Sequence, residues 1–451
     1  MTMPALSAPL VCAHRSFIAD TITPIGAYRA LAKAGASALL ESAVSGAQLS
    51  RYSFIGLDYF AQEQFESSPS LIADIRAFID AHRHLASSPE FPGAAVVAFA
   101  YDAAFAQARL EKRKPLTPPT PDAYVAIPAT WVVFDHYTHR ANLYVLAASD
   151  REAQMRADSY ERSILSARPD TPQTVAIRGG IKQSIDRERY LQLVEQVKTH
   201  IYEGDVYQLQ LGIRFSAELA GGALDFYRQL RSRNPSPYMF FLDTPFGQLL
   251  GASPEFLVRL ENGRARIRPL AGTRARASDP AVDLAAGQEL LANEKERAEH
   301  VMLVDLGRND LGSVCKEGSV QVHELMHVER YSHVMHIVSD LVGELREDCD
   351  GLDLFAAGFP AGTVTGTPKI RAMQLIDNFE PVARGFYAGS IGRLAFSGDF
   401  DSCITLRSVH VCEGRAYWQA SAGIVADSDA ASEHDEVLQK TRIIREVLGC
   451  S

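Results

Sequence analysis

The run GTVTGTPKIRAM, residues 362–373, says more about this chain than any other stretch. Its first half is glycine and threonine, and its second half opens a pattern that predicts a helix over 366–379. A loop of that kind feeding a helix offers backbone N–H groups to an anion, because the first N–H groups of a helix have no partner within it. It is not a Walker-type phosphate loop, since Gly362 and Gly366 are three residues apart and no Gly-Lys-Ser/Thr follows. The plain reading, a loop before a helix start, stands beside the anion site.

Downstream, short strands are predicted at 388–396, 403–411 and 416–425, and a closing helix over Ser432–Leu448. Upstream lie a long helix over 284–312, strands at Gln248–Leu257 and Arg266–Ile267, and a strand from Val206 to Phe215. A helix starting after Ser184 or Asp186 places Tyr190, Val194, Val197 and Ile201 on one face, and Gly204–Asp205 ends it. The first part of the chain reads as a helix over Ile25–Leu40 and strands at Val96–Tyr101, Thr130–Phe134 and Asn142–Leu146. The polar, proline-bearing run RPDTPQT, 168–174, reads as a linker between regions 1–167 and 182–451, and Lys114–Pro121 as a surface loop. Long helices beside hairpin-spaced strands predict an α+β fold rather than a regular βαβ repeat.

The chain has 451 residues, with 45 Lys+Arg against 55 Asp+Glu, a net charge of −10 that argues against a general nucleic-acid binder. Apolar residues make up 47% and charged residues 22%, so a large core needs no covalent staple. None of the six cysteines forms a Cys-x-x-Cys pair, which argues against a zinc knuckle and suits a reducing cytoplasm. The N-terminus lacks the basic and apolar regions of a secretory signal. The longest apolar candidate for a span, Gly93–Phe105, is broken by Asp102.

Several groups carry possible chemistry. Glu299 lies beside the apolar face made by Met302, Leu303 and Leu306, and Glu436 sits one turn before Lys440. Carboxylates from two helices suit a hard divalent cation. Glu436 and Lys440 are equally an ordinary surface pair worth about 0.3 kcal/mol. PLAGTR (269–274) and SAGIV (421–425) are small-residue turns where a ligand can approach the backbone. Glu255 and His336 are candidate proton carriers, although Glu255 also reads as a strand end and His336 as a packed core residue. No Gly-x-Cys-x-Gly elbow is present, so the chain does not release ammonia from glutamine itself.

In this order the segments resemble the chorismate-utilising enzymes, and within them the anthranilate synthase component I family. The resemblance rests on LLES (39–42), RYSFIG (51–56), NPSPYMF (234–240), SPE (253–255), PLAGTR, AEHVMLVDLGRNDL (298–311), RYSHVMH (330–336), the 362–373 run and GIVADS (423–428). It implies mostly antiparallel sheets packed with helices, and a Mg²⁺-dependent lyase acting on chorismate. Glu299 and Glu436 become the metal carboxylates, and the backbone of Gly272 and Thr273 grips the ring carboxylate. Tyr387, Arg407, Lys440 and the Gly423 backbone hold the enolpyruvyl carboxylate. Glu255 becomes the general acid, His336 assists loss of pyruvate, and Thr363 touches the substrate.

Two positions sort the branches. Gln208 stands where isochorismate and salicylate synthases carry a lysine that activates water, and Ala271 where aminodeoxychorismate synthases carry an attacking lysine. Both point to ammonia from a partner glutamine amidotransferase, and to anthranilate as product for tryptophan biosynthesis. The resemblance further implies feedback inhibition by tryptophan at Leu40, Glu41, Ser42, Asn234, Pro235, Tyr238 and Met239. The alternatives are an aminodeoxychorismate or aminodeoxyisochorismate synthase, or a catalytically weak tryptophan-binding paralogue. Ser421 and Thr367 depart from the glycine and alanine usual in the family, and 93–102 lacks its usual glycine spacing.

Overall fold

The computed structural model describes residues 10–32, 37–42, 51–83, 91–111, 114–330 and 334–450. Residues 331–333 of the 330–336 run and the side chain of Thr273 lie outside the described residues. The protein is α+β, and every strand pairing described is antiparallel. One strand, Ala123–Asp135, is the branch point of the sheet.

From Ala123–Asp135 one arm runs through Tyr52–Phe65, Ser37–Glu41, Tyr238–Thr244, Gly247–Ser253, Ser408–Cys412 and Arg415–Ile424 to Gln208–Ala220. The other runs through Ala94–Phe99, Ser390–Ala395, Phe400–Ile404, Phe256–Glu261 and Arg264–Ile267 to Val334–Glu344. Both arms therefore cross the 168–174 segment, which has no regular structure. Apolar residues from both arms and from helices on either side of that segment fill two large cores. Ala94–Phe99 is buried along its whole length, as befits a continuous apolar run with both faces covered. No described helix is long and apolar enough to cross a membrane.

Local chemistry explains where the elements start and stop. The helix Arg187–Tyr202 begins at Asp186, whose carboxylate accepts from the Arg189 N–H at 2.8 Å, and it buries Tyr190, Val194 and Val197 as expected. The single helix expected over 284–312 is two, Pro280–Ala292 and Glu294–Gly312. Asn293 ends the first and caps the second, accepting from the Glu296 N–H at 3.0 Å. The helix expected over Ile25–Leu40 stops at Leu31, and Ser37–Glu41 is a strand. That segment pairs on both edges, so ladder bonds override the helix preference of its Ala and Leu.

Two expected strands are each divided at a point of chemical interest. Gln248–Leu257 breaks at Pro254, which has no N–H for a ladder. The 403–411 segment breaks between Ile404 and Ser408, with Arg407 in the left-handed region at φ +47°. Such a conformation is uncommon for a non-glycine residue. Ala388, at φ +59°, faces this break, and Ala388 N–H bonds Thr405 O at 3.0 Å. The hairpin Ser390–Ala395/Phe400–Ile404 is thereby closed at its base by Ala388, Gly389 and Thr405.

Arg384 and Glu380 form a fully buried ion pair at 2.6 Å. Arg384 also donates to Val364 O at 2.7 Å and Gln210 O at 2.9 Å. Glu380 accepts from the Gly212 N–H at 2.8 Å and from Gln419 Nε2 at 3.0 Å. Replacing Arg384 by methionine leaves a buried carboxylate uncompensated and is expected to cost about 3–5 kcal/mol of stability. Adding Glu380→Leu should recover part of that loss, and guanidinium denaturation midpoints of the single and double variants check both signs.

Candidate active site

The breaks described above converge on one cluster. Glu255 sits just past Pro254, buried, with its backbone oxygen accepting from the Ile404 N–H at 3.1 Å. Thr363, on a short 3-10 turn at Gly362–Val364, donates its hydroxyl to Glu255 Oε1 at 3.3 Å. Burial pushes the Glu255 carboxyl up to about 8, with the Thr363 bond pulling the other way. At neutral pH Glu255 is therefore an acid holding its proton.

His336 lies on Val334–Glu344, with Nδ1 2.8 Å from Gly272 O. A carbonyl only accepts, so Nδ1 carries the hydrogen and Nε2 is the basic nitrogen. Burial holds the imidazole below its ordinary pKa, and the positive fields of Arg407 and Lys440 act in the same direction. Gly272 itself has φ +63°, and a Cβ there would come within 3.0 Å of Glu296 Oε2 and Leu290 Cδ1. Only glycine satisfies both the dihedral and the space.

Gln208 begins the strand Gln208–Ala220 and pairs with Thr367 in a two-residue ladder. Its Nε2 donates to Glu299 Oε1 at 2.7 Å. Gly423 approaches so closely that a Cβ there would meet Gln208 Nε2 at 2.7 Å and Gln210 Nε2 at 2.9 Å. Burial raises the Glu299 carboxyl above its usual range, and Glu296 and Glu436 push it further the same way. Glu299 on one helix thus feels Glu436 on another. Glu436 is paired with Lys440 at 2.7 Å, and Lys440 Nζ also donates to Ser421 O at 2.9 Å. Both side chains of this pair are about half exposed, and the Lys440 bond to Ser421 O ties it to the buried groups below.

Ser421 joins the remaining members. Its hydroxyl donates to Gln210 Oε1 at 2.8 Å, so the Tyr387 hydroxyl 2.8 Å away donates to it. Beneath, the Arg384 guanidinium lies 4.6 Å from the Tyr101 ring and 5.7 Å from the Tyr387 ring. Gln208, Glu299, Glu436, Lys440, Ser421 and Tyr387 form one chain of bonds and charge contacts with Gly423 beside it, His336 rests on Gly272 within the fields of Arg407 and Lys440, and Glu255 with Thr363 forms a further pair. Gln210, Arg384, Glu380 and Glu296 belong to the same network, and no motif in the sequence marks them. These residues supply a neutral acid at Glu255, a neutral imidazole at His336, the cations Arg407 and Lys440, and the carboxylates Glu299 and Glu436.

The residues expected to bind an inhibitor gather elsewhere. Leu40, Glu41, Ser42, Tyr238 and Met239 line a cavity of about 990 Å³. Asn234 and Pro235 precede it in the turn before Tyr238–Thr244 and are not among its lining residues. Among the described residues, the one trio of side chains close enough to share a metal is His200, Glu203 and Asp205, and Asp205 is already held by Arg371 at 2.7 Å.

Residues 43–446 match the family described as chorismate binding enzyme. Anthranilate synthase component 1 of Acinetobacter calcoaceticus is 41% identical, over 96% of this chain and 93% of that protein. The Thermus thermophilus protein of the same name is also 41% identical, over 96% of each. Among solved structures, anthranilate synthase component I from Streptococcus pneumoniae superposes with a TM-score of 0.80 at 33% identity, covering 95% of this chain and 99% of that one. The menaquinone-specific isochorismate synthase of Escherichia coli shares the fold, with a TM-score of 0.77 at 20% identity, covering 98% and 95% of the two chains.

The Glu255 carboxyl makes a stability prediction. Its folded value of about 8 lies above the ordinary 4.5, so between them the folded chain holds a proton that the unfolded chain releases. Stability therefore falls as pH rises through that window, and the loss is complete above about 8. Glu255→Gln removes this titration. Urea midpoints measured across the window should decline less steeply for the variant than for the wild type.

Proposed function

The chain belongs to the chorismate binding enzyme family, and on that footing we propose that it is the aminating subunit of an anthranilate synthase. It converts chorismate and ammonia to anthranilate and pyruvate, the first committed step toward tryptophan. The ammonia comes from a separate glutamine amidotransferase subunit. The observation that carries this reading is the pairing of Gln208 with Glu299 at 2.7 Å. A neutral amide takes no proton from water, and Ala271 brings only a buried methyl group. The attacking group must then arrive with its own lone pair, as ammonia does.

Each side chain has a task in this scheme. Glu255, protonated at neutral pH and oriented by Thr363, gives its proton to the departing 4-hydroxyl. Arg407, Lys440, Tyr387 and the Gly423 backbone hold the enolpyruvyl carboxylate, for which a planar guanidinium fork is suited. The Gly272–Thr273 backbone holds the ring carboxylate. His336, kept neutral by burial and fixed through Nδ1, takes the ring proton at Nε2 as pyruvate leaves.

Mg²⁺ is part of the proposal, held by Glu299 and Glu436. Their fit to a hard cation is supported by the chemistry of the donors: two carboxylates from separate helices, close enough that Glu436 and Glu296 raise the Glu299 carboxyl. When bound, the ion neutralises the ring carboxylate, whose charge opposes both the arrival of a nucleophile and the departure of hydroxide.

The 990 Å³ cavity is assigned to feedback inhibition by tryptophan. Among the described residues, buried Glu41 Oε1 and Ser42 Oγ, which line the cavity, have no hydrogen-bond partner, which supports a polar ligand there. Ile391, Arg393, Asp401 and Cys403 line the same cavity from the hairpin whose base is flanked by Tyr387 and Arg407. An inhibitor bound at one end of the hairpin thus favours a state in which the catalytic side chains are out of alignment. The six free cysteines support a reducing, cytoplasmic setting.

The test is to mix the purified chain with chorismate, Mg²⁺ and ammonium, following anthranilate fluorescence and product masses. Anthranilate with equimolar pyruvate is expected. A product that keeps its enolpyruvyl group would overturn the reading of the second step. Glu299→Gln and Glu436→Gln are each expected to lower turnover by at least ~100-fold at modest Mg²⁺. Wild-type turnover in either variant contradicts the metal assignment.

A further inference from the structure

Tyr387, Ser421 and Gln210 stand in a row, and all three are buried. Gln210 Nε2 lies on the Gly423 side, where a Cβ would meet it at 2.9 Å, and its Oε1 faces Ser421. An amide oxygen only accepts, so the Ser421 hydroxyl donates to it, at 2.8 Å. A serine has one hydrogen to give. The Tyr387 hydroxyl, 2.8 Å from Ser421 Oγ, is therefore the donor in the second bond. Burial pushes the Tyr387 phenol up to about 12, so its hydrogen is in place at neutral pH. That hydrogen points into the protein. Serine stands here in place of the glycine usual in the family, so the acceptor that draws it inward belongs to this chain.

This direction opposes the task of Tyr387 as a donor to a carboxylate. To reach a ligand, the phenol must turn its hydrogen away from Ser421. The two oxygens, 2.8 Å apart, then meet lone pair to lone pair unless Ser421 turns its own hydrogen from Gln210 to Tyr387. Either way one buried hydrogen bond is lost, and a buried acceptor without a donor is costly. Without the Ser421 hydroxyl there is no such bond to break. We propose that Ser421 is a positioning residue that lowers the affinity for chorismate, because its hydroxyl competes with the enolpyruvyl carboxylate for the Tyr387 hydrogen. This rests on the reading of Tyr387 as a ligand of that carboxylate. Only the side chain of Ser421 competes. Its backbone oxygen accepts from Lys440 Nζ at 2.9 Å, a contact that does not depend on the side chain.

Calorimetric titration of the full chain with chorismate and Mg²⁺, without ammonium, across a double-mutant cycle tests the assignment. Ser421→Ala is expected to bind chorismate about 5- to 10-fold more tightly than the wild type, the equivalent of one net hydrogen bond. Tyr387→Phe is expected to bind it more weakly. Ser421→Ala added to Tyr387→Phe should change nothing further, because no phenol hydrogen is left to compete for. A serine that only supports the fold would lower the denaturation midpoint on replacement and leave chorismate affinity equal or weaker, and that result overturns the proposal. A gain that persists beside Tyr387→Phe also overturns it, since the effect would then be one of space. Ser421→Gly removes the same hydroxyl and carries the same expectations should the alanine variant not fold. A wild type that binds no chorismate removes the proposed function itself, an outcome distinct from all the others.

Discussion

The pair Arg384–Glu380 is the constraint on which the candidate site depends. A buried charge pair is stable only when every remaining donor and acceptor is satisfied, and here each partner reaches outward to do so. Arg384 pins the Thr363 turn through Val364 O and the strand of Gln208 through Gln210 O. Glu380 pins the same strand through the Gly212 N–H and the strand of Gly423 through Gln419. Three elements distant in sequence are held in one geometry by two side chains, and the Tyr387 ring rests against the same guanidinium. Removing either partner loosens all of them together.

Above that floor, burial sets the protonation states. The same desolvation keeps Glu255 protonated and His336 neutral, because each avoids charge where water is scarce. Glu299 is pushed upward as well, although there the neighbouring carboxylates contribute. Lys440 and Arg407 add positive field on the imidazole side. A net charge of −10 over the chain says nothing about this local balance. Cations and neutral groups thus surround His336, while the carboxylates Glu296, Glu299 and Glu436 influence one another.

The cavity and the cluster are separate sites joined by the hairpin Ser390–Ala395/Phe400–Ile404. At its base, Ala388 and Arg407 both adopt left-handed backbone conformations, at φ +59° and +47°. Residues in sparsely populated conformations persist where their surroundings over-determine them, often beside functional groups. Here they turn the chain sharply enough to aim Tyr387 and Arg407 at the cluster, while Arg393 and Asp401 face the cavity.

What the sequence determined by itself is the local chemistry and the membership of the family. Capping residues, apolar periodicity and ordered motifs marked the helices at Arg187–Tyr202 and Ala430–Val447 and most of the strands. Local signals misled where pairing partners were remote. Ser37–Glu41 carries helix-forming residues, yet it is a strand because Phe54 and Phe240 lie on either side of Leu40. Asn293 divides a helical pattern that looks continuous, because a cap bond outweighs unbroken periodicity. Only the tertiary structure decided that Arg384 and Glu380 are buried partners, that Ser421 bridges Tyr387 to Gln210, and that five arginines gather around one cavity. These are properties of neighbours brought together across long stretches of chain. Desolvation and pairing act through space, and a sequence records the groups without the distances between them.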